Sequence, residues 1–387
     1  DQVYRPTWGT LRENWFAYLK ARYEGEKIDL TISPYYHYNK GRGDWAPPYQ
    51  VIVEGGTTLA NGTIAGGSAV GRYAYTDSAG TPMAVFSAAE GLDVELAPGF
   101  DATCTETLTF PYGGGSPTSN PGCYASTAVP VGTSRHTHYG KDRYGVTADA
   151  SYELMEGNRL RAGFWWESAQ RYEYRHWHER SNILSGIEFV ATPYWLQYDR
   201  SFGTNTFMFY VEDTYETGKW VLRAGAKKFL VDLERKDELG NDALVELESN
   251  SDILFSLGAI YNATDNLEIF GGVARNFAAV KDEVLEGRAS ASGASLPVVF
   301  PETADNYDLG FRYSTGSMRA TLTAYLIKFS NRITFVGANG LTGIDFLEEV
   351  DGAFLNVGGV ESKGVEASVS VDVGSHWNVY SALTVND

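Results

Sequence analysis

Twelve long segments of period-two alternation, joined by connections that are short and long in turn, constrain this chain more than any other feature. Apolar and polar residues alternate near 12–24, 27–38, 139–154, 158–174, 195–216, 219–233, 251–262, 266–277, 303–315, 317–329, 361–373 and 376–386. Such alternation is the signature of a strand with two different faces. The stretch NRLRAGFWWESAQRYEY (158–174) puts Leu160, Ala162, Phe164 and Trp166 on one face and Arg159, Arg161, Gly163 and Glu167 on the other. At roughly 3.3 Å per residue it would exceed 50 Å, about three times the usual strand of a globular domain.

The connections alternate in kind. Short turns carry Gly, Asn or Asp: EGE (24–26), MEG (155–157), TGK (217–219), ATDN (263–266), STGS (314–317) and GSH (374–376). Between them lie long loops at 39–138, 278–301 and 330–358. A transmembrane β-barrel has this rhythm, with tight turns on the periplasmic side and long loops outside. Lipid would take the Phe164 and Trp166 side, and a wet lumen the Arg159, Arg161 and Glu167 side. Strands longer than the ~9–11 residues a bilayer needs should project beyond the outer surface. A soluble β-sandwich also alternates, but it does not call for strands this long with lopsided connections.

Composition supports this class. No run approaches the ~20 apolar residues of a transmembrane helix, and transmembrane barrels carry no such run. The net charge of −18 argues against nucleic acid as a partner. Aromatic residues make up 14%, with 25 Tyr and 9 Trp, as in outer-membrane barrels and many extracellular β-proteins. Nucleophile-elbow, zinc-helix, phosphate-loop and Cys-x-x-Cys motifs are absent, so neither an enzyme nor a cofactor is expected.

Three stretches resemble TonB-dependent outer-membrane receptors. They are FPETADNYDLGFRYSTGSMRATLTAYLIKFSNRI (300–333), NVGGVESKGVEASVSV (356–371) and GAIYNATDNLEIFGGVARNFA (258–278). FYVEDTYE (209–216) fits the same series, and the match covers most of 139–387. In such a receptor Asn306, Tyr307, Gly310, Gly364 and Glu366 would shape strands and turns. The resemblance implies an antiparallel all-β transmembrane barrel of the large outer-membrane receptor type, located in the bacterial outer membrane. Such barrels hold a plug inside roughly 22 strands. With twelve strands, residues 1–387 are therefore expected to be a partial barrel without plug or C-terminal end, and 39–138 a long extracellular insertion. The implied function is energy-coupled uptake of a scarce solute: an iron chelate by preference, a sugar or vitamin otherwise. The implied partners are that solute, outer-membrane lipid and lipopolysaccharide, and a TonB-type inner-membrane energising complex. A passive diffusion porin and an extracellular β-rich binding or structural protein are the alternatives.

Candidate site residues fall in three groups. Trp45, Tyr49, Tyr73, Tyr75, Phe110, Tyr112 and Tyr124 are loop aromatics that could stack on cargo or pack the loop against itself. Acidic residues outnumber basic ones in that loop, which favours a cationic or neutral cargo. Four of the six histidines form two His-x-His pairs, His136 and His138, His176 and His178. Pairing across the MEG turn sets His136 opposite His176, and imidazoles are good ligands for transition metals. Their parity, however, is that of Phe164 and Trp166, the lipid side, where interfacial polar aromatics are the alternative. Cys104 and Cys123 predict a disulfide in an oxidising compartment, worth about 3 kcal/mol for a loop of this size; a catalytic thiol is the other option. Lys20, Arg22, Arg143, Asp149, Arg159, Arg161, Glu167, Arg223, Lys227, Arg312 and Arg319 are the expected lumen charges.

Overall fold

The computed structural model describes residues 9–47, 49–73, 75–83, 85–87, 94–95, 128–181, 188–240, 244–286, 299–337 and 352–387. All twelve expected strands are present. They are β1 (Thr10–Tyr18 continuing as Ala21–Glu24), β2 (Ile28–Trp45), β3 (Gly132–Met155), β4 (Asn158–Ser181), β5 (Trp195–Thr217) and β6 (Trp220–Asp237). The series continues with β7 (Leu254–Thr264), β8 (Leu267–Ala278), β9 (Glu302–Ser314), β10 (Met318–Ser330), β11 (Val360–Val373) and β12 (Trp377–Asn386). Each strand pairs antiparallel with the next, so the twelve form one continuous sheet. Among the described residues β1 and β12 each have a wall neighbour on one side only. No helix among them is long and apolar enough to cross a membrane.

The break in β1 has a local cause. Leu19 donates its N–H to the Pro34 carbonyl of β2 at 3.1 Å, but a proline has no N–H to return. The ladder lapses for two pairs and resumes at Ala21↔Ile32.

Register separates the two faces. Leu222, Ala259, Gly271, Leu309, Ala324, Val365 and Val385 form one unbroken row across β6–β12. The adjacent row on the other face is Arg223, Gly258, Gly272, Asp308, Tyr325, Gly364 and Asn386. On β2–β5 the apolar face continues as Leu30, Ala150, Ala162 and Val211. Exposed aromatics bound this belt: Tyr152, Tyr215, Trp220 and Tyr313 at the short-turn end, Tyr144, Trp166 and Phe207 at the other. Tyr144 to Tyr152 takes in about nine residues of β3, the ~9–11 a tilted strand needs to cross a bilayer, and aromatic girdles bound the apolar band of a transmembrane barrel.

The polar face is the inner one. Arg171 on β4 donates from Nε to Asp282, 111 residues on in the loop after β8. That loop has crossed back over β6 and β5, which places it inside the curve of the sheet. Arg143, Glu167, Arg223, Arg312 and Arg319 share this face by register. Aromatic rings there lie across glycines of the next strand. A Cβ on Gly364 would meet the Tyr325 ring at 2.8 Å and the Val385 carbonyl oxygen at 2.4 Å. A Cβ on Gly310 would meet the Phe270 ring at 2.4 Å. Such ring-over-glycine pairs pin register where a strand curves.

The long connection differs from the expected 39–138. β2 continues to Trp45 and β3 starts at Gly132, so the wall itself rises well above the belt. Gly41 and Gly43 disguise this rise as a turn, yet the Tyr139 ring covers Gly41 and the ladder is unbroken. The connection holds small strands of its own, among them Gln50–Glu54 paired with Ser68–Tyr73. Ile64–Ala65 runs parallel to Trp195–Leu196 at the start of β5. Beyond β10 a short hairpin, Ile333–Gly337 with Gly352–Asn356, stands apart from the wall.

Sidedness has a direct consequence. Leu309→Arg, in the middle of the outward belt, should cost about 2–4 kcal/mol of stability in lipid, and Asp308→Arg one residue away far less. Urea unfolding in lipid vesicles measures both, and equal losses would refute the face assignment. Gly364→Ala should cost about 1–3 kcal/mol by overpacking. Gly316→Ala, with nothing within 4 Å of the added Cβ, should leave the unfolding midpoint in place.

Candidate functional site

The inward face of the extracellular rim carries a dense set of charged and aromatic side chains. In β4 the run Arg171-Tyr172-Glu173-Tyr174-Arg175 sends its odd residues inward, opposite Lys141, Tyr139 and Thr137 of β3. On the other side they face Phe202, Arg200 and Tyr198 of β5. Arg171 donates from Nε to Asp282 and from Nη1 to Glu173, each at 2.8 Å. Its guanidinium carbon stands 3.9 Å from the centre of the Phe202 ring. Arg200 lies 3.9 Å and Arg175 4.9 Å from the Tyr198 ring, so one phenol carries two guanidinium groups. Glu173 is 3.8 Å from Arg200, and Arg175 donates to Thr137 Oγ1 at 2.9 Å.

An apolar cluster roofs the rim on the β5–β6 side. Phe202, Val231 and Leu233 of the wall bury against Val280, Leu285 and Val299 of the loop after β8, with Ile333 and Phe354 of the short hairpin beside them. Arg235 donates to the Leu285 carbonyl at 3.0 Å. Two separate connections therefore fold inward over the mouth.

Of the loop aromatics, Trp45, Tyr49 and Tyr73 pack in one region. Trp177 and Trp195 stack at 5.4 Å, and Trp45 meets Trp177 at 6.5 Å and Tyr49 at 6.2 Å. Tyr49 is only 3% exposed. Tyr73 donates to Gln50 Oε1 at 2.6 Å, and burial pushes its phenol up to about 12. Tyr75 sits half-buried on a separate small strand. Phe110, Tyr112, Tyr124, Cys104 and Cys123 lie outside the described residues.

All four paired histidines meet, on the outward face above the belt. His136 opposes His176 directly, and the β3–β4 register runs unbroken from Glu153 to Gly132, so no bulge turns them inward. Ring centres are 4.8 Å apart for His136 and His178, and 5.8 Å for His138 and His176. Tyr174 stacks on His138 at 4.4 Å. Among the described residues no group of three His, Cys, Asp or Glu side chains is placed to hold a metal ion, so this cluster carries no metal proposal. Burial first, then Arg42 and the other imidazoles, lowers His136 to about 3; burial and His176 lower His138 to about 4. Asp44 stands 3.8 Å from His136, but Arg42 claims that carboxylate at 2.6 Å.

Deeper in the lumen, Glu167 accepts from Tyr35 and from Arg143 at 3.1 and 2.8 Å, and Trp165 donates to Tyr35 at 2.8 Å. Lower still, Arg161 pairs with Asp149 at 2.9 Å and Arg159 with Asp29 at 3.0 Å. The expected lumen charges thus face inward and are paired in part. The rim set Arg171–Glu173–Arg200–Tyr198 was not among the expected site residues. Its trace in the sequence is the Arg-x-Glu-x-Arg alternation of 171–175, whereas nothing near Asp282 announces where its loop returns.

A family model described as TonB dependent receptor-like, beta-barrel matches residues 27–387. The chain belongs to this family. Its barrels sit in the outer membrane of Gram-negative bacteria, and its members are receptors and transporters rather than enzymes. Among solved structures the chain is similar to the ferric citrate transporter FecA in its unliganded form, at 15% identity and a TM-score of 0.50, covering 98% of this chain and 52% of that one. It is similar to the siderophore receptor PiuA from Acinetobacter baumannii at 14% identity and a TM-score of 0.52, covering 98% and 47%. The copper transporter OprC gives 10% identity and a TM-score of 0.55, covering 98% and 48%. Identities this low establish a shared fold. The chain spans about half the length of these structures.

The histidines give a pH dependence. Their folded values lie below the ordinary ~6.5, so the stability they lend is complete above that pH and is lost as pH falls through ~6.5 toward 4. His178 Nδ1 lies 3.0 Å from the Val190 carbonyl oxygen, so the 188–196 segment should feel the change. Protection factors at those amides, corrected for the intrinsic pH dependence of exchange, should fall between pH 7.5 and 5. His136→Gln combined with His138→Gln should flatten the response.

Proposed function

We propose that this chain forms wall and mouth of an outer-membrane receptor that captures a scarce solute outside the cell. Energy from a TonB-type inner-membrane complex then drives the solute inward. The observation that carries this reading is the rim: polar and aromatic groups face inward, beneath two connections folded over the lumen. A passive pore has no use for a mouth so filled. The cargo we favour is an iron chelate, in keeping with the ferric citrate transporter and the siderophore receptor that share its fold; a sugar or vitamin is the other class. Outer-membrane lipid covers the apolar belt. Lipopolysaccharide head groups meet the charged row just above it, Arg275, Asp305, Lys328 and Glu361.

The test is uptake of labelled ferric chelates by cells that carry the full-length receptor as their only route. Uptake should saturate and should stop when a protonophore collapses the inner-membrane gradient. Uptake that rises linearly with concentration and ignores the protonophore would establish a passive pore instead.

A further inference from the structure

The lipid-facing wall is not evenly filled. Toward the short-turn end of β5–β8 it opens into a groove of about 890 Å³, within the size range of small-ligand sites. Ala224, Ala259 and Gly271 form its floor, and the exposed side chains of Leu222, Leu257 and Val273 stand around it. All six share the outward parity of the belt. Leu309 closes the far end, where its Cδ1 would stand 3.5 Å from a Cβ on Gly271.

The groove has a direction. The ladder row that starts at Asn158, the first residue of β4, reaches Val385, the last but one of β12. Rows therefore climb from the short-turn end toward the outside, and a groove that follows one climbs with it. Its lower end lies beside Tyr215, in the girdle at the short turns, and its upper end in the middle of the belt. Trp220 and Tyr261, ring to ring at 4.6 Å, lie one outward position nearer the turns than Leu222 and Ala259. Such amphipathic rings sit at head-group level.

A charge stands at the lower end. Asp213 lines the groove and has the outward parity of Phe209 and Val211, so its carboxylate belongs to the face that meets lipid. Among the described residues the Asn158 amide donates to it at 2.8 Å, and no cation pairs with it. An amide orients a carboxylate but leaves its charge uncompensated, and an ionisable group on the membrane face calls for a partner. The membrane itself can supply one.

We propose that the groove binds one acyl chain of an inner-leaflet phospholipid whose primary ammonium group pairs with Asp213. The apolar floor suits the chain, the climb from the girdle suits the leaflet, and the carboxylate suits the head group. A second outward groove, of about 950 Å³ around Ala150, Ala162, Phe164 and Phe207, has no charged side chain on its outward face. It takes lipid chains without choosing a head group. The site is independent of which cargo the receptor carries.

The experiment is native mass spectrometry of the full-length receptor in detergent, titrated with phosphatidylethanolamine and with phosphatidylglycerol of the same chains. One phosphatidylethanolamine should bind several-fold more tightly than phosphatidylglycerol. Asp213→Asn should bring the two lipids level by weakening the first. Ala259→Phe, which fills the floor, should abolish the preference as well, while Ala150→Phe in the second groove should leave it intact. Both phenylalanines face lipid, and an unchanged heat shift on gels shows that each variant has folded. Equal binding of the two lipids by the wild type would overturn the site. So would a preference that survives Asp213→Asn or Ala259→Phe, or one that Ala150→Phe also removes. A receptor dimer that Ala259→Phe dissociates would overturn it too, because a second copy would then be the occupant.

Discussion

Hydrocarbon offers a backbone no water, so every N–H and C=O within the bilayer must find its partner in the protein. The twelve-strand ladder is the response, and the rest of the structure depends on it. Because strands pair only with their sequence neighbours, one side-chain parity holds along each strand and passes intact to the next. That is how Leu222 on β6 and Val385 on β12 come to share one row. Where the ladder cannot close, as at Pro34, the strand breaks for two pairs and recovers within the same register. Where strands curve, inward rings seated on Gly310 and Gly364 hold that register.

Above the belt the constraint relaxes, and the two faces change meaning. The outward side of β3 and β4 passes from Tyr144 and Trp166 to the histidine cluster, which the 188–196 segment helps to bury. The inward side passes from paired charges about Glu167 to the charged rim about Arg171 and Glu173. The same period-two rule places residues in both regions, while solvent and loops decide what each face does.

Much of this was legible in the sequence. Strand number, order, turn positions and sidedness follow from alternation alone, and the histidine parity correctly put His136, His138, His176 and His178 on the outward face. The extent of β2 and β3 was less visible, because Gly41, Gly43 and Gly140 read as loop residues when the rings that cover them are unknown. The packing of Trp45 and Tyr49 against Trp177 joins segments more than 120 residues apart, and alternation does not encode such contacts. Loop composition counts charges without regard to direction, and Asp44 proves to point outward to Arg42.

Energetics distinguish what holds the inward loop from what orients it. For an ion pair as largely covered as Arg171–Asp282 the desolvation penalty offsets much of the attraction, whereas each fully buried Val or Leu contributes about 1.5–3 kcal/mol. Val280, Leu285 and Val299, at 2%, 2% and 4% exposure, therefore anchor the connection to Phe202, Val231 and Leu233. The ion pair adds direction at little cost and little gain. The apolar anchor, rather than the ion pair, keeps the loop seated in the mouth.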